Sequence, residues 1–134
     1  MIYEATASFV IDDEGKEKNC RESVILEEAD TFTEVEGRMY ELYDGNVGLD
    51  IVAIKRSQLK EIANKRSDES ESIFTAEVCD TFTDDKGKEK KMSYAIAFFS
   101  ANIDKAKVFI DEYLKQGYNM KLKALQETNF VDVI

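Results

Sequence analysis

The heptapeptide DDEGKEK, residues 12–18, returns almost unchanged as DDKGKEK, residues 84–90, which begins 72 positions later in a chain of 134 residues. Each copy places a glycine among charged residues, Gly15 in the first and Gly87 in the second. Glycine supplies the backbone freedom that a tight turn needs, and the charged neighbours stay solvated at its tip. We therefore interpret each heptapeptide as the tip of a β-hairpin, copied as part of a longer duplicated segment.

The apolar residues on both sides of each heptapeptide alternate with period two, which indicates half-buried strands. They align between the copies at offsets of 71 and 72. The aligned residues are Tyr3, Ala5, Ala7 and Ile11 with Phe74, Ala76, Val78 and Phe82, and then Cys20, Val24 and Leu26 with Met92, Ile96 and Phe98. Each copy is therefore expected to open with a hairpin whose alternate residues face a core.

After each hairpin the apolar period changes to about 3.6, which predicts a helix. The stripes are Val35, Met39, Leu42 and Tyr43 in the first copy and Ala106, Ile110, Tyr113 and Leu114 in the second. Thr33 and Glu36 have the spacing of a capping box and predict a first helix over about 34–43. Asn102 is the predicted cap of the second helix, and Gly117 is its predicted stop.

A further apolar segment follows each helix and predicts a long strand, bent or broken near Ser57 in the first copy and Thr128 in the second. A short fourth strand follows the break. We expect repeat 1 over residues 1–63, a polar linker over 64–72 and repeat 2 over 73–134.

The expected fold class is α+β, a tandem repeat of a strand-strand-helix-strand unit with an antiparallel sheet and one helix per repeat. A unit of about 60 residues buries little apolar surface by itself. The two repeats are therefore expected to pack about a pseudo-two-fold axis as a single domain with one core.

The composition argues against an enzyme. The chain contains no histidine, the commonest general base and metal ligand, and its 28 acidic residues are scattered. No glycine-rich loop suited to phosphate occurs. We therefore expect no catalytic residue, no metal and no cofactor. Cys20 and Cys79 lie far apart, on opposite faces of their predicted strands, and are interpreted as packing residues rather than a disulfide.

No apolar run approaches the roughly 20 residues that cross a bilayer, and the start of the chain does not have the pattern of a leader. We therefore expect a cytoplasmic protein without a membrane partner. The net charge of −10 favours solubility and repels nucleic acid at long range.

Five segments resemble a known family: FVIDDEGKEK, ADTFTEVEGRM, VAIKRSQLKEIA, FTAEVCDTFTDDKGKEKKMSYAIAF and ALQETNFVDVI. They are similar to the bacteriophage and Bacteroidetes proteins of domain of unknown function 4494, and the similarity covers essentially the whole chain. The chain departs from the family pattern at Gly37, where the family's helix looks alanine-rich, and in its short linker. The resemblance implies phage or prophage association, including crAss-like phages of gut bacteria, and similarity to replication-associated single-strand-binding proteins.

The first functional hypothesis is binding of single-stranded nucleic acid, which needs cations for phosphates and aromatic faces for bases but no catalytic residue. The candidate residues are Lys55, Arg56, Lys60, Lys88, Lys90, Lys91, Lys121, Lys123, Tyr94 and Phe99, with Tyr3 and Tyr118 as further aromatics. The cations form one stripe if the two long third strands lie side by side. The alternative interpretation is that the cations form solvated faces and that the aromatics belong to the core.

The second hypothesis is an acidic protein-interaction module, a phage accessory or inhibitor that docks on a host or phage protein and mimics DNA by its charge. The apolar outer face at Ala95, Ala97 and Phe99 fits either a ligand platform or a surface covered by the other repeat or a second subunit. A homodimer is expected because the sheet has exposed edges.

Overall fold

The computed structural model describes residues 1–117 and 119–134. The described residues form an α+β fold with two helices and eight strands, which confirms the predicted class. The elements are β1 (Tyr3–Asp13), β2 (Lys16–Leu26), α1 (Phe32–Leu42), β3 (Val47–Arg56), β4 (Leu59–Ile62), β5 (Ser72–Thr83), β6 (Glu89–Ser100), α2 (Ile103–Leu114), β7 (Met120–Glu127) and β8 (Phe130–Val133).

The strands form two mainly antiparallel four-stranded sheets, and the chain divides into two compact units. We call residues 1–57 with 129–134 the first unit and residues 58–128 the second unit. The described helices do not include one that is long and apolar enough to cross a membrane.

The first unit contains the sheet β3-β1-β2-β8, with β8 parallel to β2 and the other pairs antiparallel. A two-residue turn joins β1 to β2, and both of its residues have positive φ, 53° at Glu14 and 81° at Gly15. This is the backbone of a type I′ hairpin turn, which glycine adopts without strain. The hydrophobic core contains Tyr3, Ala5, Ala7, Phe9, Val24, Leu26, Ala29, Val35, Met39 and Tyr43.

The second unit contains the sheet β4-β6-β5-β7, with β4 parallel to β6 and the other pairs antiparallel. Its hairpin loop is longer and is organised by Asp84, whose Oδ1 accepts hydrogen bonds from the backbone N–H groups of Lys86 and Lys88, both at 2.9 Å. Gly87 has φ 79°, as a glycine at a hairpin tip permits. The core contains Phe74, Ala76, Ile96, Phe98, Ala106 and Ile110.

The fourth strand of each predicted repeat pairs with the sheet of the other repeat. β4 lies beside β6 in the second unit, and β8 lies beside β2 in the first. The predicted breaks near Ser57 and Thr128 are confirmed, and each break is fixed by a backbone hydrogen bond of 2.9 Å, from Ser57 N to Ile2 O and from Thr128 N to Ile73 O. The chain therefore passes from the first unit to the second after residue 57 and back after residue 128, and not at the predicted linker.

Both sheets also carry register shifts at matching positions. One shift of β3 falls at Val52, and that of β7 falls at Lys123. The parallel strands shift at Lys60 in β4 and at Val131 in β8. The pairing of β1 with β3 has a second shift, between Ser8 and Val10, without a counterpart in the pairing of β5 with β7. The two units thus share strand order and two of their register shifts, as well as hairpins and helix positions.

The cap of α1 differs from the prediction. Thr31, rather than Thr33, caps the helix, because its Oγ1 accepts a hydrogen bond of 3.1 Å from Glu34 N. The Glu34 carboxylate in turn accepts from Asp30 N at 2.9 Å. Pairs with the spacing of a capping box begin at both threonines, so spacing alone did not decide between them. The predicted cap of α2 is confirmed, since Asn102 Oδ1 accepts from Lys105 N at 2.8 Å.

Substituting Thr31→Ala is expected to lower the free energy of unfolding by about 1 kcal/mol, because the N–H of Glu34 loses its partner. Thr33→Ala is the matched control, and about 0.5 kcal/mol or less is expected there. Urea unfolding followed by circular dichroism compares the two variants. A larger loss for Thr33→Ala than for Thr31→Ala would show that the cap is assigned to the wrong threonine.

Leu42 of the predicted helix stripe is exposed, and so are three strand residues expected on the core faces: Ile11, Phe82 and Met92. Their strands alternate as predicted, but the last buried core-face residue before the hairpin tip is Phe9 in β1 and Val78 in β5. The prediction was wrong for these three because a hairpin can extend beyond the core that its base covers. Strand periodicity identifies the face of a residue, not the length of strand that is packed.

Candidate nucleic-acid interface

One face of the second sheet holds an open hollow. Phe74 and Ala76 of β5 and Ile96 and Phe98 of β6 share a core with α2. The residues between them therefore point to the opposite face, because side chains alternate along a strand. A cleft of about 500 Å³ lies there, bordered by Gln58, Thr75, Ala76, Glu77, Ser93, Tyr94, Ala95, Ala124 and Gln126. We call this surface the open face.

The hollow exists because small side chains flank the middle of β5. Glu77 lies opposite Ala95 on β6 and opposite Ala124 on β7. Directly opposed side chains are close neighbours on the same face of a sheet, and alanine fills little of that space. The border adds hydroxyls at Thr75 and Ser93 and amides at Gln58 and Gln126. These groups donate and accept hydrogen bonds without adding charge.

Three of the candidate cations reach the open face. Lys91 lies opposite Thr81, and Lys121 lies opposite Cys79, which places both on the side of Glu77. Lys123 lies at the register shift of β7, and its Nζ donates a hydrogen bond of 3.4 Å to Ser93 Oγ. All three side chains are exposed.

Two carboxylates share the open face with these lysines. Glu77 stands in the hollow, and Glu89 lies opposite Thr83 near the hairpin tip. On the strands of this face three lysines accompany two carboxylates, in a chain whose net charge is −10.

Other candidate residues lie on the side of α2 or in the hairpin loop. The ammonium of Lys60 sits 4.1 Å from the centroid of the Tyr94 ring, and the Tyr94 hydroxyl contacts the Met120 sulfur at 3.1 Å. Burial raises the pKa of Tyr94, and the carboxylates of Asp80 and Glu61 raise it further. Tyr94 is therefore packed against the second core and covered by Lys60.

The hairpin lysines differ in their contacts. Lys90 forms an ion pair of 3.5 Å with Asp84 at the base of the loop. Lys88 is exposed in the loop, where its backbone N–H is held by the same aspartate. Asp84 therefore both shapes the turn and neutralises one of its cations.

Phe99 shares the strand and side of Ala95 but is only 5% exposed. Residues of the predicted linker cover it. Asn64 makes two hydrogen bonds to the Phe99 backbone, at 2.6 Å and 3.0 Å, and the Arg66 guanidinium lies 4.8 Å from the ring centroid. The ring of Phe99 is therefore occupied, and no face of it is open for stacking on a base.

Lys55 and Arg56 end β3 in the first unit, where they lie opposite Glu4 and Tyr3. β3 and β7 are edge strands of different sheets, so the two long third strands do not pair. Tyr3 is fully buried and donates a hydrogen bond to the Asp30 carbonyl at 3.2 Å. Tyr118 lies outside the described residues.

Two further tyrosines hold carboxylates in structural hydrogen bonds. Tyr43 donates to Glu22 at 2.9 Å, and Tyr113 donates to Glu61. Burial is the main cause that raises the pKa of each phenol well above its usual value, and the neighbouring carboxylate adds to it. Both phenols are therefore neutral donors that fix a side chain on the sheet rather than acid or base catalysts.

The described part of the chain contains neither a disulfide nor a cluster of metal-binding side chains. Cys20 and Cys79 are both free thiols. Among residues 1–117 and 119–134, no group of three or more His, Cys, Asp and Glu side chains is placed to hold a metal ion.

Apart from Tyr94, the residues that shape the hollow are neither cations nor aromatics, so the sequence did not indicate them as candidates for binding nucleic acid. Glu77, Thr75, Gln58 and Gln126 are plain polar residues in the sequence. The alternation of β5 does place Thr75 and Glu77 together on the outer face. Their alanine neighbours depend on strand register, which the sequence pattern left undetermined.

Comparison with known proteins gives one match. The model of the family described as domain of unknown function (DUF4494) matches residues 1–134, the whole chain. No curated protein and no solved structure gives a significant match.

Proposed function

The chain belongs to the DUF4494 family, and for this member we propose that the open face of the second sheet binds single-stranded nucleic acid without catalysing a reaction. The observation that carries the proposal is the placement of Lys91, Lys121 and Lys123 beside a hollow bordered by amides and hydroxyls. Phosphates bind to exposed ammonium groups, and the release of their counterions drives the association.

In this arrangement the strand runs beside β7, with its phosphates at Lys121 and Lys123 and its bases over the hollow. The bases of a single strand are free to turn away from their backbone and to contact a protein surface. The aromatic contribution is small here, because Phe99 is covered and Tyr94 packs against the core. We therefore expect an affinity that depends strongly on ion pairs and hydrogen bonds, and hence on salt.

The biological setting that we propose is a bacteriophage or prophage accessory protein that acts in replication, in the cytoplasm of a bacterial host cell. It rests on the resemblance of the five segments quoted above. The absence of histidine from the chain supports a non-enzymatic role.

A protein-interaction module is the second candidate, and a separate surface favours it. In the first unit a hollow of about 360 Å³ is bordered by Met1, Glu28, Ala29, Asp30 and Glu34. Three carboxylates around one hollow suit a basic segment of a host or phage protein. Such a surface also presents to a DNA-binding partner the charge that DNA presents.

We also infer that the two halves descend from one duplicated unit related by a pseudo-two-fold axis. The shared strand order and the matching register shifts support this inference. The single-domain organisation, with repeats at 1–63 and 73–134 and a linker at 64–72, and the homodimer stay predictions.

Titration of labelled oligo-dT and of a matched duplex, read by fluorescence anisotropy at low and moderate salt, tests the proposal. We expect micromolar or tighter binding of the single strand that weakens as salt rises. If neither oligonucleotide binds at low salt, the nucleic-acid function is wrong, and the protein-interaction module becomes the favoured function.

The double substitution Lys121→Gln and Lys123→Gln is expected to weaken single-strand binding about tenfold at low salt. Because each lost phosphate contact changes the slope of log K against log salt by about 0.7, the slope should become shallower by about 1.4. Lys107→Gln with Lys115→Gln is the matched control, since these lysines pair with Asp111 and Glu112 on α2. An equal loss in both double variants would mean that overall charge, rather than the open face, governs binding.

A further inference from the structure

Glu77 is an exposed carboxylate in the hollow of the open face. It lies on β5, an inner strand of the second sheet, between Ala95 and Ala124. Within residues 1–117 and 119–134 its carboxylate makes neither a hydrogen bond nor an ion pair, whereas its backbone pairs with both neighbouring strands. Lys123 lies on the neighbouring strand β7, and its ammonium donates to Ser93 rather than to Glu77.

The Glu77 carboxylate restricts which chemical groups can bind in the hollow. An ionised carboxylate accepts hydrogen bonds and cannot donate them, and it repels phosphate. A strand on the open face therefore keeps its phosphates at the lysines of β7 and turns a hydrogen-bond donor toward Glu77. Among the parts of a nucleic acid, the bases supply the strong N–H donors.

The bases differ in how well they match a carboxylate. Guanine presents two adjacent donors, N1–H and the N2 amino group, which together fit the two carboxylate oxygens. Cytosine and adenine each present one amino group. Thymine and uracil present a single N–H between two carbonyl oxygens, and these carbonyls repel a carboxylate. Duplexes engage all of these edges in base pairing, so the match is available in single strands.

We infer that Glu77 makes the open face a guanine-preferring site, in which the carboxylate accepts from guanine N1–H and N2–H; this inference rests on the proposed function. The alanines on both sides leave space for a base to approach the carboxylate edge-on. The amides of Gln58 and Gln126 and the hydroxyl of Thr75 border the same hollow and can donate to guanine O6 and N7. The cleft volume of about 500 Å³ is in the usual range for small-ligand sites.

The test compares two labelled single strands of equal length, alternating thymine and guanine in one and thymine alone in the other. Wild-type protein is expected to bind the mixed strand about tenfold more tightly, the discrimination of one good bidentate contact. Glu77→Gln keeps the shape but loses one acceptor, and its preference should fall to about twofold or less. Its affinity for thymine alone should stay equal or rise slightly, because a negative charge is removed.

Glu89→Gln is the matched control. It removes one carboxylate from the same face, at the hairpin tip, and should keep the tenfold preference. The ratio of the two affinities is the informative quantity, because a loss of stability or of overall attraction lowers both affinities together.

The outcomes distinguish a failure of the guanine site from a failure of the proposed single-strand binding. If wild-type protein binds both strands equally, or if Glu77→Gln retains the preference, the guanine site is wrong and single-strand binding stands. If neither strand binds at low salt, the proposed function fails and the inference fails with it.

Discussion

Removing residues 129–134 is expected to destabilise the first unit, whose other residues are 1–57. β8 is the edge strand beside β2, and Ile134 continues its pairing. Ile134 N donates to Ile25 O at 2.8 Å, and Ile134 O accepts from Glu27 N at 3.0 Å. Its side chain packs against the core of the first unit. Losing these bonds and this buried surface should cost roughly 3 to 5 kcal/mol.

Hydrogen exchange read by mass spectrometry locates the effect. Amide protection should fall about a hundredfold or more over residues 3–26, since 1.4 kcal/mol corresponds to a factor of ten. Residues 72–100 should keep their protection, because β5 and β6 pair with strands that the truncation leaves in place.

The control for the truncation is Val131→Ala, a substitution at the exposed register shift of β8. It should change the stability by about 0.5 kcal/mol or less. If truncation removed protection from residues 72–100 and spared residues 3–26, the assignment of β8 to the first sheet would be refuted.

Phe98→Ala is expected to lower the free energy of unfolding by about 3 to 5 kcal/mol. Phe98 is fully buried in the second core, with its ring centroid 4.6 Å from that of Phe109 and 6.1 Å from that of Phe74. Truncation to alanine removes both ring contacts and leaves a cavity that a packed sheet and helix fill incompletely. The expected loss is a large fraction of the stability of an ordinary domain.

Phe82→Ala is the matched control, because it deletes the same side chain from β5, where Phe82 is 42% exposed. A loss of about 1 kcal/mol or less is expected there. Urea unfolding followed by circular dichroism gives both values. Equal losses in the two variants would contradict the burial that distinguishes these phenylalanines.

Local patterns in the sequence predicted the elements well. Alternation identified the core faces of both hairpins, and Gly15 and Gly87 marked the turns with positive φ. A change of period identified both helices, and Asn102 was recognised as a cap. These features follow from the backbone preferences of a few neighbouring residues, so a single chain reveals them.

The candidate site was predicted less well. Lys91, Lys121 and Lys123 were named from the sequence and share the open face, whereas Lys60 and Lys90 do not. Tyr94 borders the cleft but packs against the second core. The position of a lysine in the sequence does not show which strand will lie beside it in the sheet. Glu77 became a candidate only when the register placed Ala95 and Ala124 at its sides.

Local sequence patterns are enough to predict the order of strands and helices and the faces that they bury, because both depend on neighbours within a few residues. Only the folded chain shows that β4 joins the sheet of β6 and that β8 joins the sheet of β2. Strands of only four residues, Leu59–Ile62 and Phe130–Val133, fit either sheet edge by pattern. Backbone hydrogen bonding is almost independent of side-chain identity and is available at either edge, so the pattern does not identify the edge and the choice is made only in the folded chain.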